Sequence, residues 1–145
     1  MRVSRQSVCA ALVTLGLIVP LACARQPAKP AAEVPNLFPR QAQELIERNR
    51  GNPGFVVLDV RTPAEFAAGH LPGAVNVDFR SPAFQAQAST LDKGRSYLVY
   101  CRTGHRSGLA LPILQRLGFT GLYHLEGGIT GWQRDRLPVE PAPAR

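Results

Sequence analysis

The sequence predicts an α/β domain in which helices cover both faces of a central parallel sheet. Three observations carry this. Apolar runs of strand length recur without polar alternation, and helix-like stretches separate them. The 145-residue chain is 45% hydrophobic and 19% charged, the balance of one globular unit rather than of a disordered or multidomain chain.

Residues 1–24 read as an export signal: Arg2 and Arg5, an apolar segment from Val8 to Val19, then Pro20 and small residues. The apolar run falls short of the roughly 18 to 20 residues that a spanning helix needs. Ala22-Cys23-Ala24 fits ordinary cleavage before Arg25, whereas Leu21-Ala22-Cys23 fits a lipoprotein site with lipid on Cys23, and both outcomes stay open. The expected location is the bacterial periplasm, with any membrane contact made through the leader or that lipid. Residues 25–35, rich in Pro and Ala, read as a flexible linker, and residues 138–145 as a disordered tail. The domain expected between them spans residues 36–137, without internal repeats.

Within it, residues 41–50 read as a helix, with Leu45 and Ile46 among polar neighbours, stopped by Gly51-Asn52-Pro53-Gly54. Strands are expected at residues 55–60, 74–77, 97–100 and 122–125, and further helices at residues 63–68, 82–88, 107–117 and 129–134. Pro112, in the second turn of the fourth helix, is expected to kink or break it, and the helix is expected to begin near Arg106 or Ser107.

The third strand runs straight into Cys101, followed by the loop Arg102-Thr103-Gly104-His105-Arg106 and then Ser107. This places the cysteine at the carboxyl end of a parallel strand, where such folds hold their ligands. Gly104 and Gly108 give the loop freedom to turn its amides inward, and Ser107 is positioned to cap the next helix. Adjacent Arg residues and a helix N-terminus can lower a thiol pKa from about 8.5 to between roughly 3.5 and 7.5. Cys9 leaves with the leader and Cys23 is removed or lipidated, so Cys101 is the one thiol left free. The alternative reading is a buried structural cysteine beside a solvated basic loop.

Here the chain resembles the single-domain rhodaneses, the thiosulfate-type sulfurtransferases. The resemblance lies in Leu58-Asp59-Val60-Arg61 with Glu65-Phe66, Gly69-His70-Leu71-Pro72-Gly73-Ala74-Val75-Asn76-Val77, Cys101 through Ser107, and Leu125-Glu126-Gly127-Gly128-Ile129-Thr130-Gly131-Trp132. It implies a rhodanese-like sheet of about five strands, with Cys101 as the nucleophile that takes sulfane sulfur as a persulfide and passes it to cyanide or a thiol. Residues 102–106 match the encircling loop, with Arg106 helping to stabilise the persulfide. Cys101 and Arg106 have four residues between them, where related cell-cycle phosphatases and arsenate reductases have five; a shorter ring suits one sulfur atom better than phosphate or arsenate. Those activities, and a non-catalytic binding or sensor module, are the alternatives. Glu65 stands where some two-domain rhodaneses carry an Arg that holds thiosulfate, which implies modest affinity for that donor.

Asp59 and Arg61 are expected to pin a strand end rather than touch substrate, and His70 to fix a turn. His124 reads as a satisfied, partly buried ring, and Trp132 as packing of the last helix. The spacing of Cys101, His70, His105 and His124 suggests no metal site, and nothing implies a cofactor. Net charge is +7, yet no basic run reaches five residues, so the surface suits small anions such as a sulfur donor rather than nucleic acid. Oligomeric state is not legible.

Overall fold

The computed structural model describes residues 33–141; the residues read as an export signal, nearly all of those read as a linker and residues 142–145 lie outside the described part. The elements, in chain order, are β1 (Asn36–Leu37), α1 (Pro39–Arg48), β2 (Phe55–Asp59), α2 (Pro63–Ala67), β3 (Val75–Asn76), α3 (Phe84–Ser89), β4 (Ser96–Tyr100), α4 (His105–Arg116), β5 (Gly121–Leu125) and α5 (Gly128–Arg134). The five strands form one sheet in the order β1-β5-β4-β2-β3, and every pair is parallel. Parallel neighbours require crossovers, and the intervening helices supply them.

Strand alternation divides the core into two layers. Tyr97, Val99 and Cys101 face one side with Leu58, Val60, Phe84, Ala110, Leu111 and Leu114. Leu98 and Tyr100 face the other with Val57, Ala42, Leu125, Ile129 and Trp132. Helices α3 and α4 thus cover one face, α1 and α5 the opposite one. Because both faces are buried, the strands carry apolar residues at successive positions, which is the pattern seen in the sequence.

Three expectations change. Pro112 does not break α4: it and Gly108 both face solvent, so the carbonyl four residues back that loses its amide partner is open to water. Helix α3 starts at Phe84, after a turn in which the Phe84 amide bonds to the Ser81 carbonyl. The segment read as a tail from Pro138 is held to the body through Glu140. His70 and Glu140 exchange backbone hydrogen bonds of 2.8 Å, the Glu140 carboxylate accepts from the Gly73 amide at 3.0 Å, and Trp132 Nε1 donates to the Pro138 carbonyl at 2.8 Å. His70 does fix the turn, through Nδ1 at 3.1 Å from the Phe66 carbonyl and stacking on the Phe66 ring.

The end of β2 is locked by a buried ionic cluster. Asp59, fully buried, accepts from Arg61 Nε at 2.9 and 3.0 Å, from Arg61 Nη2 at 2.6 Å and from the Tyr100 hydroxyl at 2.6 Å. Arg61 Nη2 reaches on to the Gly69 carbonyl at 2.7 Å, and the Tyr100 oxygen accepts from the Leu71 amide at 3.1 Å. Burial first, then the Asp59 carboxylate, pushes the Tyr100 phenol well above its ordinary range, so it stays a donor. Asp59 and Arg61 therefore join β2, β4 and the loop before β3, as expected. Asp59→Asn keeps the shape but removes the charge and leaves the buried Arg61 guanidinium without a counter-ion, and it is expected to cost about 3 to 5 kcal/mol in urea unfolding. Turnover by the folded variant should stay within a few-fold of the parent.

Candidate active site

Strand β4 lies between β5 and β2 in the sheet. Cys101 follows its last residue, and the helix after the loop begins at His105, slightly before the expected start near Arg106 or Ser107, so that His105 and Arg106 of the expected loop stand in the first turn of α4. Gly104 is the residue before α4, at φ 97°, a left-handed conformation that glycine adopts at little cost. It turns the chain so that the Gly104 amide donates to Cys101 Sγ at 3.2 Å. Ser107 does not cap the helix by accepting from its amides; it stands in the first turn, fully buried, and its hydroxyl approaches Sγ at 3.5 Å and the Gly104 carbonyl at 2.9 Å.

Cys101 is only 1% exposed and its flank packs in the apolar layer under α4. Burial alone would push its thiol pKa up; the Ser107 hydroxyl and the amides of Ser107, Thr103 and Gly104 more than offset this and leave it below the ordinary value. Both expectations for this residue hold in part: the cysteine is buried, and its sulfur is ringed by donors. The loop is held from outside by α5, whose Ile129 and Thr130 amides donate to the Cys101 and Arg102 carbonyls at 2.9 and 3.0 Å.

Outside the ring lies an open cleft of about 640 Å³ lined by Thr62, Glu65, Arg80, Arg102, Thr103, His105, Arg106 and Thr130. Arg102, Thr103 and His105 are exposed at its rim. Arg106 is not directed at the sulfur: its two terminal nitrogens bond the Glu65 carboxylate at 2.8 and 2.7 Å. Thr62 completes the arrangement, because Glu65 also closes the capping box of α2 with the Thr62 amide and hydroxyl. The positive charge of Arg106 still reaches Cys101 through space.

Arg106 above all holds the Glu65 carboxyl down to about 2. A depressed carboxylate stabilises the fold fully above its unfolded value of 4.5, and that contribution is lost as pH falls toward 2. Glu65→Gln is expected to be about 1 to 2 kcal/mol less stable at pH 7, the gap closing between pH 4.5 and 2 in urea titrations. A constant gap over that window would refute the assignment.

Sequence reasoning did not identify the Arg106 partner, because Glu65 lies 41 residues away. It also missed Arg80 at the cleft, for which no local signal exists, and gave no role to Thr130, although that residue lies in one of the stretches that carry the resemblance.

A thiol whose ionised form is favoured by surrounding donors, at the carboxyl end of a parallel strand, defines an α/β protein with a site suited to nucleophilic chemistry. The chain belongs to the rhodanese-like family: the Rhodanese-like domain model matches residues 40–135. A sulfurtransferase of Allochromatium vinosum is 33% identical over 98 residues, covering 68% of this chain and 90% of that protein. The thiosulfate sulfurtransferase 16 of Arabidopsis thaliana is 36% identical over 97 residues, covering 60% and 81%. The senescence-associated protein DIN1 of Raphanus sativus is 37% identical over 124 residues, and the chain spans 65% of its length. Among solved structures, a rhodanese-related protein of Thermoplasma volcanium superposes with a TM-score of 0.63 at 27% identity, covering 73% of this chain and 97% of that one. The five-strand parallel sheet with its helices is thus the rhodanese fold, and the chain's relatives include sulfurtransferases.

Proposed function

We propose that this protein transfers sulfane sulfur from thiosulfate, or a related small anionic donor, to a thiophilic acceptor through a persulfide on Cys101. The observation that carries the reading is the set of donors aimed at Sγ, the Gly104 amide at 3.2 Å and the Ser107 hydroxyl at 3.5 Å. The Cys101 thiolate attacks the outer sulfur of thiosulfate; the sulfur–sulfur bond of the donor breaks and its electron pair leaves with sulfite. The new persulfide carries the negative charge within the same ring of donors. Cyanide or a thiol then attacks the terminal sulfur, and the bonding pair returns to Cys101 as thiolate. The exposed Arg80 and Arg102 offer charge for the incoming anion. The four-residue spacing from Cys101 to Arg106 favours a single sulfur over phosphate or arsenate.

The leader read at residues 1–24 adds the proposal that this chemistry takes place outside the cytoplasm. Intact-mass spectrometry tests both. Thiosulfate should add about 32 Da, one sulfur, and cyanide should remove it as thiocyanate. The starting mass reports whether residues 1–24 are absent and whether Cys23 carries lipid. No mass gain from thiosulfate or other sulfane donors would overturn the transferase reading.

A further inference from the structure

Behind the nucleophile, on the side away from the cleft, a chain of side chains joins three elements of the fold. Cys101 Sγ lies 3.5 Å from Ser107 Oγ, Ser107 Oγ lies 2.9 Å from His124 Nε2, and His124 Nδ1 lies 2.7 Å from Asn36 Oδ1. Ser107 is fully buried and His124 is 7% exposed. The strand pair β1–β5 sets this up, since its register places Asn36 opposite His124. The groups that face the ring are Asn36 from β1, the Gly104 carbonyl at 3.2 Å from the loop, and Ser107 from α4. Cys101 is the ionisable group at the end of this chain of contacts.

Hydrogen counting gives the arrangement a direction. An amide oxygen only accepts, so Nδ1 carries a proton toward Asn36, and in the neutral ring the Nε2 lone pair is aimed at the Ser107 hydroxyl. That hydroxyl has a single proton and three acceptors around it: Sγ, Nε2 and the Gly104 carbonyl. With the ring neutral, donation to Nε2 leaves the sulfur without it. With the ring protonated on both nitrogens, Nε2 donates to Ser107 Oγ and the Gly104 carbonyl, and the Ser107 proton is released toward the sulfur.

The geometry points to His124 as a positioning residue that holds the Cys101 proton, taken through Ser107, and so maintains the nucleophile as a thiolate paired with an imidazolium. In this step the thiol proton passes to Ser107 Oγ while the hydroxyl proton of Ser107 passes to Nε2. One S–H bond breaks and one N–H bond forms, Ser107 is regenerated, and the pair as a whole keeps its charge. The inference rests on the sulfurtransferase reading only in taking Cys101 as the nucleophile. A histidine that merely clamps β1 to β5 would stabilise the fold without linking its own titration to that of the sulfur.

Two measurements test this without any sulfur donor, so failure of the transferase reading cannot be mistaken for failure of this one. The first is the pH profile of Cys101 alkylation by iodoacetamide, followed by mass. His124→Gln is expected to raise its midpoint by about one pH unit or more, lowering the rate below the midpoint about tenfold. Ser107→Ala should shift it in the same direction. The second uses the unsubstituted protein, so it stands even if both variants fold poorly. The His124 ring is titrated by NMR before and after Cys101 is capped with methyl methanethiosulfonate. Linkage requires that loss of the thiolate lower the His124 midpoint by as much as His124 lowers that of Cys101. An alkylation midpoint unchanged in folded His124→Gln, or a His124 titration indifferent to capping, overturns the proposal.

Discussion

Cys101→Ala is expected to reduce sulfur transfer from thiosulfate to cyanide by at least about a thousandfold, to the background reaction, while the protein stays folded. The two halves of this result come from different sides of the same side chain. Chemically, the sulfur is the only atom in the ring of donors that can form the proposed persulfide, and neither an alanine methyl nor the loop's amides can carry the transferred atom. Structurally, Cys101 is 1% exposed and packs with Val99, Leu58 and Ala110, so its removal leaves a small void and frees the Gly104 amide. Those losses amount to about 1 kcal/mol, too little to unfold a domain with this core. Cys101→Ser should be equally inactive, because a hydroxyl of the same size does not ionise at neutral pH. Thiocyanate formation together with urea unfolding separates the two effects. Turnover above a few per cent of the parent in either variant would show that Cys101 does not carry the sulfur.

The contrast between what the sequence disclosed and what it concealed follows sequence distance. Cys101 and its loop are contiguous, running from a buried strand through Gly104 to Ser107. Local rules about strand ends, glycine turns and helix starts were enough to place them. The four longer apolar runs were legible for the same reason. Strand β1 was not, because Asn36–Leu37 belongs to no apolar run of its own; its pairing is supplied by β5. The pairings that give Arg106 to Glu65 and Asn36 to His124 span 41 and 88 residues, and only the crossovers of the sheet bring them together. Pro112 misled because its cost depends on which way the orphaned carbonyl faces, and this is fixed by how α4 packs rather than by its sequence.

Gly128→Ala is the substitution expected to damage fold and chemistry together. Gly128 opens α5 at φ 55°, a left-handed conformation that costs an alanine about 1 to 2 kcal/mol. The larger penalty is steric. A Cβ at this position would lie 2.5 Å from the Cys101 carbonyl oxygen and 2.6 Å from that of Arg102. Both are backbone atoms of the active loop, held there by the Ile129 and Thr130 amides, so no side chain can swing away to make room. Either α5 retreats and gives up those two hydrogen bonds, or the loop moves and carries the Gly104 amide off the sulfur. Backbone strain and overpacking together predict a loss of about 2 to 5 kcal/mol in urea unfolding. In protein kept folded at low temperature, a displacement near 1 Å predicts transfer about a hundredfold slower, with a raised midpoint for Cys101 alkylation. Gly108→Ala is the control: that glycine is exposed on α4 with nothing within 4 Å of its added methyl, and the change should stabilise the helix by up to about 1 kcal/mol. If Gly128→Ala matched Gly108→Ala in stability and turnover, the close approach of α5 to the loop would have no part in holding the sulfur site, and its donors would have to be positioned by α4 alone.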